Sequence, residues 1–365
     1  LSLSRVTTFP ALSIWAGSDN ESRLNPLKNT ADRIAAHGYP VEKHSIVTED
    51  GYILTMFRIP RKTSRSAVLL MHGLFFTSDA WVLNGPNDAL PFILADGGHD
   101  VWLGNTRGNH YARNHTVKNV HHFSFWSFSF HEIGHFDLAA MMNYILTTNE
   151  QHPQSLHYVG HSQGTTSFFA FLTTRPAYNK LIRTAHMLAP ACYMSNASSP
   201  ILRLLSPYLG LDSTYTHLFA HQEFVPYNEF ILLMLFNTSI SEIAPGGAST
   251  DQVLHYMQLF NSGYFRMFDL GHVRNLKVYG QSKPPDYSLE NIVAPMHLWY
   301  SDNDMFVAVE DVLRLAARLP NKIMHKIEDP WWGHGELLYS LIVKHVINEP
   351  ILEIINEFNE NMCNE

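Results

Sequence analysis

Two short stretches place residue types at spacings that can do chemistry. In "HEIGH", residues 131 to 135, His131 and His135 fall one helical turn apart beside Glu132. That is the spacing in which two imidazoles hold zinc and the carboxylate acts as general base for peptide hydrolysis. In "GHSQG", residues 160 to 164, Ser162 stands in a G-x-S-x-G pattern, and the chemistry would be acyl transfer by an activated hydroxyl. The flanking elements decide which pattern matters.

A serine hydroxyl needs a base to take its proton and a carboxylate to orient that base. Where the serine sits on a strand-to-helix turn, the chain order is serine, acid, histidine. "SDND", residues 301 to 304, offers Asp302 and Asp304. Either could instead cap a helix beginning near Met305, and spacing alone leaves both open. "EDPWWGHGELL", residues 328 to 338, offers His334, set apart from the other histidines by flanking glycines and by its place after an expected strand. The developing oxyanion needs backbone donors. Gln163, directly after the serine, supplies one amide; "HGL" at 72 to 74 supplies a loop in which Gly73 permits close approach and Leu74 donates.

The elements that must position these residues are legible as an alternation. "KHSIVTEDGYILTMFRIP" alternates apolar and polar residues about Glu49-Asp50-Gly51 and reads as a hairpin. "SAVLLMHGL" is a short apolar run of the kind found in buried parallel strands. "ALPFILADGG" is helical and "HDVWLGN" again a strand; "LHYVG" leads through Ser162 into a helical "GTTSFFAFLTT", followed by the strand "RTAHMLAP". This rhythm predicts an α/β fold, a mostly parallel sheet with helices on both faces. From about Met194 to Ile292 it breaks into irregular helical segments, which reads as an insertion. The sheet resumes at "APMHLWY" and "KIMHKIE", and an amphipathic helix is expected from about Leu337 to Phe358. The predicted division is therefore a core of residues 1–192, an insertion of 193–292, and the rest of the core in 293–365. Ser162, the two aspartates and His334 all follow strands, at the sheet edge where sites collect.

Composition narrows the class. The chain has 365 residues, 45% apolar and 16% charged, with a net charge of −8 and scattered Lys and Arg, so no electrostatic footprint for nucleic acid is present. The longest apolar run, "FILLMLF" at 230 to 236, is far short of the roughly 18 to 20 residues that span a bilayer, and no transmembrane anchor is expected. The first twenty residues lack a charged n-region and a long apolar run, which reads as a signal peptide already removed. Cys192 and Cys363 make no disulfide framework. Asn20, Asn114, Asn196 and Asn237 stand in N-x-S/T sequons, glycan acceptors if the chain enters the secretory pathway. No cofactor is implied.

From about Ala35 to Phe358 the chain resembles the acid lipases, the gastric and lysosomal triacylglycerol and cholesteryl-ester hydrolases of the α/β-hydrolase superfamily. The resemblance rests on "HGYPVEKHSIVTEDGYILTMFRIP", "HGL", "FILADGGHDVWLGNTRGNHYARNH", "FWSFSFHEIGHFDLAA", "LHYVGHSQGTT" and "LWYSDNDMFVAVEDV". It implies Ser162 as nucleophile, Asp304 and His334 as its partners, Leu74 and Gln163 as oxyanion donors, and the insertion as a mainly helical cap and lid. It further implies neutral lipid at a droplet or micelle surface as substrate, an acidic working pH, and a lysosomal or secreted location. Acid work requires the general base to stay neutral where a free imidazole, with a pKa near 6.5, would charge. The family block around "HEIGH" does not require the histidines, so the zinc spacing reads as accidental. Two departures stand out: the insertion holds no cysteine where vertebrate relatives carry a disulfide, and Gly333 replaces a customary asparagine before the histidine. The competing readings are a carboxylesterase of soluble esters, a zinc metallopeptidase, and a hydrolase fold kept for lipid binding alone.

Overall fold

The computed structural model describes residues 29–61, 63–64, 66–148, 155–210, 214–224 and 246–363. The hairpin forms where expected. Strands β1 (Glu42–Val47) and β2 (Tyr52–Ile59) pair antiparallel, from Glu42 opposite Arg58 to Val47 opposite Ile53. Gly51 takes the turn with a φ of 94°, a conformation that costs a glycine little.

Next come β3 (Ala67–Met71), β4 (Asp100–Gly104), the two-residue β5 (Asn114–His115), β6 (Leu156–His161) and β7 (Ile182–Leu188). A small ribbon, β8 (Glu223–Phe224) with β9 (Ala248–Ser249), precedes β10 (Met296–Ser301) and β11 (Lys322–Ile327). The main sheet runs β1-β2-β4-β3-β6-β7-β10-β11, with β5 against β2. From β4 through β11 every pairing is parallel.

Parallel strands covered on both faces must be apolar on both, and β3 shows why its run is unbroken. Leu69 and Met71 pack into the cluster holding Met141, Ile145, Phe168 and Phe171. Val68 and Leu70 pack on the other side with Phe92, Leu94, Ile351 and Ile355. The first face is thus covered by the helical stretch 130–148 and the helix Gln163–Thr174, the second by Leu90–Asp96 and Glu349–Cys363. At the open edge, β11 carries Lys322 and Lys326, charges that discourage strand addition.

Between β7 and β10 lie the helices Pro200–Leu205, Thr214–Phe219, Thr250–Ser262 and His272–Tyr279. Thr250–Ser262 starts with a capping box between Ser249 and Gln252 and ends on Gly263 in the left-handed region. "FILLMLF" lies outside the described residues. The expected single helix from Leu337 to Phe358 is instead two pieces. A short helix, Glu336–Tyr339, stops at the extended Ser340, and a wide-turn segment, Lys344–Asn348, leads into Glu349–Cys363. Apolar periodicity runs through the break because Leu337, Val343, Ile347 and Ile351 all bury in one cluster. Among the described residues no helix is long and apolar enough to cross a membrane.

Candidate active site

Ser162 is the single residue between β6 and the helix Gln163–Thr174, with φ 52° and ψ −115°. A residue with a Cβ avoids that conformation, so the turn is strained. The neighbouring glycines make it sterically feasible. A Cβ on Gly164 would stand 2.5 Å from the Met71 carbonyl oxygen, and one on Gly160 would stand 2.9 Å from the Gly164 carbonyl carbon. The Ser162 amide donates to the Leu188 carbonyl at 2.9 Å, fixing the turn to the end of β7.

The structure brings three of the expected side chains into one chain of hydrogen bonds. Ser162 Oγ lies 2.9 Å from His334 Nε2, and His334 Nδ1 lies 2.8 Å from Asp304 Oδ2. With its Nδ1 proton donated to Asp304, the imidazole presents an Nε2 lone pair to the serine hydroxyl. The other carboxylate oxygen of Asp304 accepts from the Phe306 and Val307 amides at 2.8 and 3.0 Å. Asp302, the alternative, is exposed and pairs with Lys326 at 3.0 Å. Asp304→Asn is therefore expected to cut kcat about 10³- to 10⁴-fold at little cost in KM, as when an imidazole loses its orienting carboxylate. Asp302→Asn should leave kcat within about twofold; initial-rate kinetics on a short soluble ester separate the two.

The glycine-flanked histidine loop is not slack. The Gly333 amide donates to Glu336 Oε2 at 3.0 Å, and Phe306 meets the His334 ring edge-on at 5.1 Å. His161 Nε2 donates to the His334 carbonyl at 3.0 Å. Burial holds the His161 imidazole neutral, with its pKa down to about 3.

Beside Ser162 lies the loop after β3. A Cβ on Gly73 would come 3.2 Å from the Ser162 Cβ, so Leu74 begins immediately beside the serine. Gln163 opens the helix, where first-turn amides have no intrahelical partner. Its buried side chain accepts from Gln252 Nε2 at 3.0 Å. His72 anchors the loop: Nδ1 donates to the Gly73 carbonyl at 2.8 Å, while Nε2 lies 3.1 Å from Asn109 Nδ2 and accepts from the Thr106 amide at 3.3 Å. Burial lowers its pKa to about 4. Together these parts hold what acyl transfer asks of side chains, a hydroxyl hydrogen-bonded to an oriented base, with the loop after β3 packed beside it.

Sequence reading did not find His72 or His161. Each works through backbone atoms, and only its position next to "HGL" or the serine could have drawn attention to it.

The other motif serves packing. His131 Nδ1 lies 2.8 Å from the Tyr287 hydroxyl, and His135 Nδ1 lies 3.1 Å from Thr174 Oγ1. Glu132 accepts from the Ser129 amide at 2.7 Å as part of a capping box. Gly134 lets the next helix approach, since a Cβ there would meet the Ser167 carbonyl oxygen at 2.4 Å. Among the described residues no group of three or more His, Cys, Asp or Glu could hold a metal ion. Cys192 is buried and free. Of the sequon asparagines, Asn114 is exposed on β5, while the side-chain amide of Asn196 donates to Asp311 at 2.9 Å. Asn20 and Asn237 lie outside the described residues.

The chain matches the family model described as a partial alpha/beta-hydrolase lipase region over residues 30–85, and that of the alpha/beta hydrolase fold over residues 66–227. It is 37% identical over 372 residues to Lipase 3 of Drosophila melanogaster, covering 91% of this chain and 94% of that protein. It is 35% identical over 368 residues to gastric triacylglycerol lipase of Homo sapiens, covering 90% and 91%. Among solved structures, an esterase from Pyrococcus furiosus superposes with a TM-score of 0.54 at 15% identity, covering 90% of this chain and 93% of that one. That last likeness concerns the fold alone.

Proposed function

The chain belongs to the acid lipase family of α/β-hydrolases and is a carboxylic ester hydrolase of the triacylglycerol-lipase type, and from that premise we propose that it cleaves neutral lipid esters through an acyl-enzyme on Ser162. The observation that carries the reading is the continuous Asp304–His334–Ser162 chain, at 2.8 and 2.9 Å, ending on a strained serine. Ser162 Oγ attacks the ester carbonyl carbon while His334 Nε2 takes its proton. The carbonyl oxygen gains negative charge and is held by the amides of Leu74 and Gln163. Collapse breaks the acyl–oxygen bond, and His334 returns the proton to the departing alcohol. Water, deprotonated by the same imidazole, then releases the fatty acid and restores the serine. Asp304 holds the tautomer throughout and stabilises the imidazolium.

Triacylglycerols and cholesteryl esters at a droplet or micelle surface are the proposed substrates, with residues 193–292 as cap and lid. The proposed working range is acidic and the location lysosomal or secreted, with Asn114 and Asn196 the described sequon asparagines, both exposed, that would carry a glycan. A fluorophosphonate probe with mass spectrometry, run with and without chelator, tests the mechanism. Labelling of Ser162 that ignores the chelator is expected; activity lost to chelator without labelling would point to the zinc reading, and neither result to lipid binding alone. Rate against concentration of a short triglyceride tests the substrate class. Activity should rise steeply past the solubility limit, whereas a plain hyperbola through it would favour an esterase of soluble substrates. A kcat/KM profile whose acid limb lies clearly below the pKa of free imidazole, near 6.5, supports the acidic range, and a limb at or above neutrality overturns it.

A further inference from the structure

Four non-glycine residues among those described hold a positive φ: Phe75, Ser162, Ala189 and His221. Phe75, at 65°, directly follows Leu74. The Phe76 amide donates to the Gly73 carbonyl at 3.3 Å, closing a four-residue turn with Leu74 and Phe75 at its centre. Because φ is positive at the third residue and not the second, the turn is of type II, a place ordinarily given to glycine or asparagine. An aromatic residue stays in such a conformation only where its surroundings over-determine it.

Those surroundings come from the segment inserted between β7 and β10. The Gly246 amide donates to the Phe75 carbonyl at 2.5 Å, and its own carbonyl accepts from the His110 amide at 2.7 Å. The Phe75 ring stacks on Phe224, centroids 5.0 Å apart at 28°. Gly246 fits because it lacks a Cβ, which would meet the Phe76 carbonyl oxygen at 2.5 Å. Six residues on, Gln252 donates to the Gln163 side chain at 3.0 Å while its Oε1 accepts from the Ser249 amide at 2.8 Å. One short stretch, residues 246–252, therefore grips the residue after one oxyanion donor and the side chain of the other.

We propose that Phe75 is a positioning residue whose left-handed backbone, clamped by Phe224 and Gly246, sets the turn that holds Leu74, and so its amide, beside Ser162. The inference rests on the reading of Leu74 as an oxyanion donor. If Phe75 relaxed to a negative φ, the Leu74–Phe75 peptide would flip toward a type I turn, turning over the Leu74 carbonyl and the Phe75 amide and resetting the link through which the clamp at Phe75 holds Leu74, with its own amide on the preceding peptide, beside the serine. The inserted segment would then be part of the catalytic geometry as well as a cover.

The test compares Phe75→Val with Phe75→Asn on a short soluble ester, with thermal melts of both. Valine keeps apolar contact but resists a positive φ; asparagine abandons the ring stack but tolerates it. Phe75→Asn is expected to keep kcat within about tenfold of the unaltered chain. Phe75→Val is expected to lose about 100-fold or more, the scale of a missing oxyanion donor, with KM changed only a few-fold. Equal losses, or the reverse order, would assign Phe75 to packing and overturn the proposal. Should Phe75→Val show no cooperative melt, Phe75→Gly against Phe75→Ala repeats the comparison, glycine expected to be the more active. Fluorophosphonate labelling of the unaltered chain keeps the two levels apart. Absence of Ser162 labelling sinks the serine mechanism itself; labelling with the wrong variant order sinks the positioning role alone.

Discussion

Exchange of Ser162 for glycine is expected to end ester turnover and at the same time raise the melting temperature. The loss follows from removing the nucleophile: kcat should fall by about 10⁴-fold or more, leaving what the oxyanion site and binding supply by themselves. The gain follows from the backbone. At φ 52° and ψ −115° a serine pays steric strain, on the order of 1–3 kcal/mol, that glycine avoids. Glycine's greater freedom in the unfolded chain returns roughly 0.4–1 kcal/mol of that, and the bond to His334 Nε2 is replaced by water at a ring that is partly exposed. A net stabilisation of about 1 kcal/mol remains, worth a degree or two in Tm for a chain of this size. Differential scanning calorimetry beside hydrolysis assays checks both halves. An unchanged or lower Tm would show that the turn is relaxed; surviving turnover would move the nucleophile elsewhere. Either way, the experiment asks whether stability was given up at this position for chemistry.

How far the site could be read beforehand depends on whether its signals were local. Ser162 was legible because a buried strand, a tight glycine turn and a helix follow one another within some twenty residues. His334 was legible from its loop. The choice between Asp302 and Asp304 was not, since the two share a loop and differ only in burial: Asp304 turns inward to two amides and an imidazole, Asp302 outward to Lys326. His161 reaches a carbonyl 173 residues away, and no pattern of spacing encodes that. Phe75 gave no signal because its residue type argues against the conformation it adopts. "HEIGH" is the reverse case: its spacing is local and legible, but a metal needs further ligands that only the fold can bring, and among the described residues no third one joins it. The same limit explains the C-terminal helix, whose apolar period continues across the break at Ser340.

Stability should fall as the solution is acidified from pH 7.5 to 5, and buried imidazoles are the reason. Burial lowers His72 and His297 to about 4, lowers His157, His161 and His255 to about 3, and pushes His186 well below its ordinary range. Their neutral forms are catered for: His157 Nδ1 lies 2.7 Å from Thr184 Oγ1, and His255 sits between Ser129 Oγ and the Arg266 carbonyl at 3.0 and 2.9 Å. For a base with a depressed folded pKa, the unfolded chain takes up a proton that the native state refuses. The loss therefore begins as pH drops through the unfolded value near 6.5 and continues down to the folded values. Each fully coupled group can contribute up to about 1.4 kcal/mol per pH unit in that window. Three such groups acting at half strength would remove about 3 kcal/mol by pH 5, a sizeable part of an ordinary folding free energy. Two groups work the other way: the bond of His221 to Asp251 raises its pKa, and burial raises Asp137 to about 6, so each adds stability on protonation, but they are two groups against six. Tm at pH 5 is thus expected several degrees below that at pH 7.5, and His157→Gln should flatten the slope. A Tm that holds or rises on acidification would mean that these interiors admit the charge.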